Sequence, residues 1–137
     1  MRTIVIGGGV NGLCTAWHLA RMGAKVTLLE QYQLGTSRGS SHGTTRITRS
    51  AYASETYVRL MQQAHGEAWP DLEAEAGTQL LYRGDGVFWG PGALEDYARA
   101  VEGGGADVLR LDPGEARRRF PAFRFEDTPY VLWDRTG

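Results

Sequence analysis

Between Gly39 and Tyr52 the chain reads GSSHGTTRITRSAY, which gathers one histidine, two arginines, six Ser/Thr hydroxyls and two glycines into fourteen residues. The stretch lies in a longer run, Gln31 to Ser54, that holds three arginines and no Asp or Glu. An arginine fork grips a carboxylate or phosphate with two parallel hydrogen bonds. Hydroxyls and the backbone N–H groups of a glycine-rich loop add further donors to an anionic ligand. The same composition also suits a solvated basic loop, and Arg46 or Arg49 could be held in a structural ion pair with Glu55. His42 could transfer a proton or simply bond the loop backbone. Arg38 is read as solvated or phosphate-facing.

A second cluster precedes it. Gly7, Gly9 and Gly12 fit G-x-G-x-x-G directly after the apolar run RTIVI. In that pattern the first glycine permits a tight turn and the second lets the backbone approach a pyrophosphate. The third lets the following helix pack close to the strand. Helix N-terminal N–H groups then face the phosphates. Glu30 lies 18 residues beyond Gly12, at the end of the next apolar run. An acid there accepts hydrogen bonds from ribose hydroxyls and would repel a 2′-phosphate, which argues against NADP. The motif by itself does not separate FAD from NAD. In a plain NAD dehydrogenase the second strand usually leads to another crossover helix, whereas here it leads to the Gly/Ser/Thr/Arg segment. That segment could lay donors along a pyrophosphate, a ribityl chain or a flavin ring. The plainer alternatives are a glycine-rich turn of some other α/β protein and, for Glu30, a solvated acid at a strand end.

The elements that must position these residues follow from the pattern. RTIVI is β-branched and apolar and reads as a buried parallel strand. Leu13, Ala16, Trp17 and Ala20 recur at helical spacing, with Gly23 as a stop. AKVTLLE is a second strand, which completes a βαβ unit. A long helix is expected from about Glu55 to Ala76, capped by Ser54 and kinked or divided at Pro70. TQLLYR and GVFWG read as a hairpin around GDG. A helix over GALEDYARAVEGGG, a strand over ADVLRL, a helix opened by Asp112 and Pro113, and a strand over YVLWD complete the pass. Cys14 is expected in packing, His18 and His65 as structural or exposed, and Trp69, Trp89 and Trp133 in core or interface.

Composition narrows the classes. With 137 residues and a net charge of −1, nothing in the overall balance suggests a nucleic-acid partner. Such a length can bury roughly two thirds of its unfolded surface. A single cysteine excludes an internal disulfide and argues against a zinc site. No apolar run reaches membrane-spanning length, and MRTIVIGGG lacks the pattern of a signal peptide, so a cytoplasmic location is expected.

GSSHGTTRITRSAY resembles the G-S-x-H-G-x-T-R-x-x-R-x-A-Y loop of the monomeric sarcosine oxidase and N-methyltryptophan oxidase family. These are flavin amine oxidases of the D-amino-acid-oxidase-like superfamily. GGGVNG, YVRL, GVFWG and LDPGEARRRFP match further family segments in the right order. The resemblance implies FAD along Gly7, Gly9 and Gly12 with its adenosine ribose at Glu30. It places His42, Thr45 and Arg46 near the flavin and pairs Arg49 with the substrate carboxylate. The implied reaction oxidises the C–N bond of an amino acid or N-methyl amino acid, with oxygen as electron acceptor and peroxide as product. Thr44 stands where the family often has Asp, Ser50 where it often has His, and YASETY is one residue shorter. These departures bear on which amine is the substrate.

The fold expected is α/β: a Rossmann-like start of an FAD-binding domain over residues 1–80, then the start of a mixed α+β substrate domain over 81–137. Family members are several hundred residues long, so the chain reads as the front third of such a protein, inactive and poorly stable alone. The competing readings are an NAD-dependent dehydrogenase and a non-catalytic dinucleotide-binding fragment.

Overall fold

The computed structural model describes residues 1–92 and 94–136. The chain forms two compact units, Met1–Arg46 and Ile47–Gly137.

The first unit is the expected βαβ. Strand β1 (Arg2–Ile6) runs parallel to β2 (Lys25–Leu29), in register from Arg2 opposite Lys25 to Ile6 opposite Leu29, with helix α1 (Val10–Arg21) between them in sequence. The helix ends where Gly23 takes a φ of +82°, a conformation that costs glycine least. There the Gly23 N–H donates to the carbonyl of Ala20, and the Ala24 N–H to that of Leu19. Burial of β1 departs from expectation. Thr3 and Val5 are half-buried, while Ile4 is 66% and Ile6 85% exposed. A fully buried parallel strand needs cover on both faces. Here α1 covers the face that carries Val5, whose Cγ1 lies 3.6 Å from the place a Cβ on Gly12 would occupy. Cys14 on α1 is exposed rather than packed, and His18 is exposed too.

The second unit begins with a helical run. Helix α2 (Glu55–Gln63) passes through a π-helical turn (Ala64–Ala68) into α3 (Trp69–Ala76). The break expected at Pro70 is real, but it lies on the N-terminal side of the proline. Proline lacks an N–H and its ring collides with the carbonyl four residues back, here that of Gly66 inside the π turn. Widening the turn makes room. Ser54 occupies the N-cap position with extended backbone, yet its side chain makes no capping bond.

Strands β3 (Gly86–Phe88), β4 (Val108–Leu111) and β5 (Val131–Asp134) form an antiparallel sheet in the order β3-β5-β4. TQLLYR is therefore not the partner of GVFWG: the expected hairpin is absent, and β3 pairs with β5. The N–H groups of Leu80 and Leu81 instead donate to the Glu73 carboxylate, each at 2.6 Å. With their donors satisfied locally, these residues have no call for a ladder. Helices α4 (Leu94–Gly104) and α5 (Pro113–Arg119) fall where the sequence puts them. Asp112 caps α5 by accepting from Gly114 N–H (2.9 Å) and Glu115 N–H (3.0 Å).

Among the described residues, two apolar clusters hold this unit. Ala51, Val58, Ala100 and Val101 form one, between α2 and α4. The helices approach closely because Gly104 has no side chain: a Cβ there would stand 2.4 Å from Val58 Cγ1. Leu111, Ala116, Phe125 and Val131 form the other, with Phe120 and Trp133 packed against it. Trp133 also donates to Asp85 at 2.9 Å, and Trp89 meets Phe123 and Phe125 edge-on.

Candidate functional site

In the first unit the three motif glycines each have a distinct cause. Gly7 turns the chain with a φ of +104° as β1 ends. A Cβ on Gly9 would stand 3.2 Å from Ser41 Oγ. A Cβ on Gly12 would lie 1.9 Å from the carbonyl oxygen of Gly7, so no other residue fits without moving backbone. Helix α1 starts without a side-chain cap from its own N-cap residue, Gly9. Ser41 supplies one from the basic loop, its Oγ accepting from Val10 N–H at 3.0 Å.

Glu30 closes the other side of this turn. Its Oε2 accepts from Gly8 N–H at 2.5 Å and its Oε1 from Tyr32 N–H at 2.8 Å. These backbone donors, Tyr32 first and then Gly8, hold the carboxyl below its ordinary pKa, so it is charged at neutral pH. Each oxygen keeps a lone pair for a further donor.

The basic loop from Gln31 to Arg46 is irregular, and Arg46 organises its far end. The guanidinium donates to the carbonyls of Thr45 (2.9 Å), Ser40 (2.5 Å) and His42. His42 lies exposed, with Nδ1 2.6 Å from the Gly39 carbonyl. A carbonyl can only accept, so Nδ1 carries a proton. The loop-backbone bond weighed for His42 is thus present. Thr45 is exposed, and Arg38 lies over the Tyr32 ring at 4.8 Å. Glu55 pairs with Arg59 rather than with Arg46 or Arg49.

Arg49 belongs to the second unit. Its guanidinium carbon sits 5.0 Å from the Tyr52 ring centre and 5.5 Å from that of Phe88, and among the described residues it has no carboxylate partner. The backbone next to it is anchored in a buried network that sequence reasoning did not find. Asp134 is fully buried. Its Oδ2 accepts from the N–H groups of Ser50 (2.8 Å) and Ala51 (3.0 Å). Its Oδ1 accepts from the Thr136 N–H (2.9 Å) and hydroxyl (2.7 Å). His65, only 5% exposed, places Nε2 2.9 Å from Thr48 Oγ1 and Nδ1 3.4 Å from Ser50 Oγ.

Burial is the main force lowering the His65 pKa, and Arg83 adds to it against the opposing pull of Asp134. A histidine whose folded pKa is depressed stabilises the fold above its ordinary value near 6.5. That contribution fades as pH falls and is gone below the lowered value. Melting temperature is therefore expected to drop as pH falls below about 6.5, and a His65→Gln protein, with no titrating ring there, should show a shallower drop. Thermal denaturation across that range reads the difference.

The sequence pattern of the family described as DAO, FAD dependent oxidoreductase, matches residues 2–137. The chain belongs to this family. It is 52% identical over 141 residues to the peroxisomal sarcosine oxidase of Homo sapiens, covering 98% of this chain and 35% of that protein. It is 32% identical to the N-methyl-L-tryptophan oxidase of Salmonella arizonae, over 96% of this chain and 36% of that one. Among solved structures, a point mutant of NikD, an unusual amino acid oxidase essential for nikkomycin biosynthesis, superposes with a TM-score of 0.75 at 26% identity. That likeness covers 97% of this chain and 35% of NikD. The chain thus spans about a third of the length of each of these relatives. The mixed α/β architecture, with its parallel strands at the start, is that of NikD and of the L-proline dehydrogenase from P. horikoshii, the latter with a TM-score of 0.73 at 25% identity over 97% of this chain and 36% of that one. No helix among the described residues is long and apolar enough to cross a membrane.

The residues present fit the family's dinucleotide. The approach of α1 to the Gly7 turn leaves no room even for a methyl group, a packing that would leave backbone and the first turn of the helix open to a pyrophosphate. The charged Glu30 is held by two backbone donors beside the same turn.

Proposed function

We propose that the complete protein is an FAD-dependent oxidase that acts on the C–N bond of an amino acid or N-methyl amino acid, with sarcosine as the first substrate to try. The observation that carries this reading is Arg49. It is a cation flanked by two aromatic rings and by a buried anchor, with no carboxylate partner among the described residues. A fork in that state is ready for a carboxylate from outside. The similarity to sarcosine and N-methyltryptophan oxidases supports the same assignment.

In this reading the turn at Gly7, Gly9 and Gly12 and the first turn of α1 hold the pyrophosphate, and Glu30 accepts from the adenosine ribose. FAD, when bound, supplies a hydride acceptor, with oxygen as the final oxidant and peroxide as the product. The chain's own residues bind and orient. Arg49 takes the substrate carboxylate. Arg46 fixes the loop by tying three carbonyls together and adds positive charge near His42 and Thr45. His42 keeps Nε2 open to accept a proton. Residues 1–80 are assigned to an FAD-binding domain and 81–137 to a substrate domain of the complete protein. We assign it to the cytoplasm and give it no nucleic-acid or membrane partner.

Arg49→Lys tests the assignment. Lysine keeps the charge but loses the planar fork. The expected result in the complete protein is a KM for sarcosine raised roughly ten- to hundredfold with flavin content unchanged. Steady-state peroxide production measures it, and an unchanged KM removes Arg49 from the carboxylate site.

A further inference from the structure

We propose that His65 is a positioning residue for Arg49: through the hydroxyls of Thr48 and Ser50 it fixes the two residues that flank Arg49, and so sets where the guanidinium stands. This inference rests on the assignment of Arg49 to the substrate carboxylate.

The geometry is two-sided. Nε2 of His65 meets Thr48 Oγ1 at 2.9 Å, and Nδ1 meets Ser50 Oγ at the longer distance of 3.4 Å. One ring therefore engages the side chains immediately before and immediately after Arg49. The arginine side chain itself goes to the rings of Tyr52 and Phe88. Asp134 holds the same stretch by its backbone, through the N–H groups of Ser50 and Ala51. Thr136 joins the two supports, with its hydroxyl 2.6 Å from Ser50 Oγ and 2.7 Å from Asp134 Oδ1.

One assignment of protons satisfies the chain. The Thr136 hydroxyl donates to Asp134, and the Ser50 hydroxyl donates to Thr136 Oγ1. Ser50 Oγ then accepts from Nδ1–H of His65. That leaves Nε2 to accept from the Thr48 hydroxyl. A neutral ring thus closes a relay that ends on a buried carboxylate, and neighbouring bonds in such a chain reinforce one another.

The neutral form is also the one the surroundings favour. His65 is nearly buried, and Arg83, from the segment after α3, opposes its protonation. Asp134 on β5 is the facing group that favours the charge, and burial outweighs it. Packing alone does not call for a polar ring here. A buried imidazole with a partner at each nitrogen defines a direction, which an aliphatic side chain of similar size cannot do.

The test uses the complete protein with its flavin and sarcosine as probe. His65→Leu and Thr48→Val each remove the Nε2 bond, from opposite ends. Both are expected to raise KM about five- to tenfold, with kcat within about twofold and flavin per polypeptide unchanged. Combining them should add little to either. His65→Gln is expected to restore most of the loss, because its carbonyl oxygen can accept from Thr48. The wild-type KM should rise as pH falls through the lowered pKa of His65, below its ordinary value near 6.5, and in His65→Gln that rise should be absent.

Arg49→Lys runs alongside as the reference. If it raises KM while His65→Leu and Thr48→Val do not, the positioning inference is overturned and Arg49 keeps its role. If Arg49→Lys itself leaves KM unchanged, the carboxylate assignment fails and the inference with it. A parallel loss of kcat, KM and flavin content that His65→Gln does not rescue would mark His65 as structural only and would also overturn it. Should His65→Leu fail to fold, Thr48→Val and His65→Gln read the same bond and decide the matter.

Discussion

Replacing Gly12 by alanine is expected to give a complete protein that purifies almost free of FAD. The added methyl would stand 1.9 Å from the Gly7 carbonyl oxygen and 3.0 Å from its carbon. Both belong to backbone, so no side-chain rotation relieves the clash. Helix α1 would have to withdraw from the turn by more than an ångström. That movement takes the first-turn N–H groups away from the place where a pyrophosphate would sit, and overpacking of this kind costs about 1–3 kcal/mol even where a core can yield. Gly84→Ala is the control, since a Cβ there meets nothing within 4 Å. Flavin absorbance per polypeptide separates the two. A Gly12→Ala protein with its full complement of flavin would mean that the glycine turn does not carry the dinucleotide.

Asp134→Asn is expected to be the most destabilising conservative change in the second unit, by about 2–4 kcal/mol. Each carboxylate oxygen accepts two donors, the Ser50 and Ala51 N–H groups on one side and the Thr136 N–H and hydroxyl on the other. An amide can present its oxygen to only one of these pairs. Its NH2 then faces the other, so buried donors go without an acceptor whichever way the side chain turns. The segment that carries Arg49 is tied to β5 through these bonds. The expected signature is a lower melting temperature together with a raised substrate KM. Chemical denaturation of wild type and variant measures the first, and a loss below about 0.5 kcal/mol would show that the carboxylate is not needed there.

The βαβ start was legible because its signals are local. β-branched residues fill Thr3–Ile6, glycines mark the turn, and Gly23 ends the helix at the residue that takes the left-handed conformation. Asp112 followed by Pro113 announced α5 for the same reason, and the side chain does accept from the first turn. The supposed hairpin failed because a turn-like GDG between apolar runs says nothing about a competing acceptor. Glu73, seven and eight residues earlier, takes the donors that a ladder would have used. The true partner of β3 is β5, more than forty residues further on, and no local pattern encodes that pairing.

The candidate site divided along the same line. Gly7, Gly9, Gly12 and Glu30 could be named from spacing, and the structure brings them to one turn. Asp134 and Ser50 are 84 positions apart, so their bond had no sequence signature. His65 looked like an ordinary helical residue. The only hint was its place one helical turn beyond Met61 and two beyond Val58, on the face that packs inward.

The proposed function requires the complete protein to hold FAD and to oxidise a small N-methyl or primary amino acid with it. Anaerobic addition of sarcosine to the purified complete protein, followed at the flavin absorbance band, tests it most directly. Bleaching by sarcosine, with recovery and peroxide on admitting air, is the predicted result. A protein that carries no flavin, or whose flavin is bleached by a nicotinamide and by no amino acid, would not be an amino-acid oxidase.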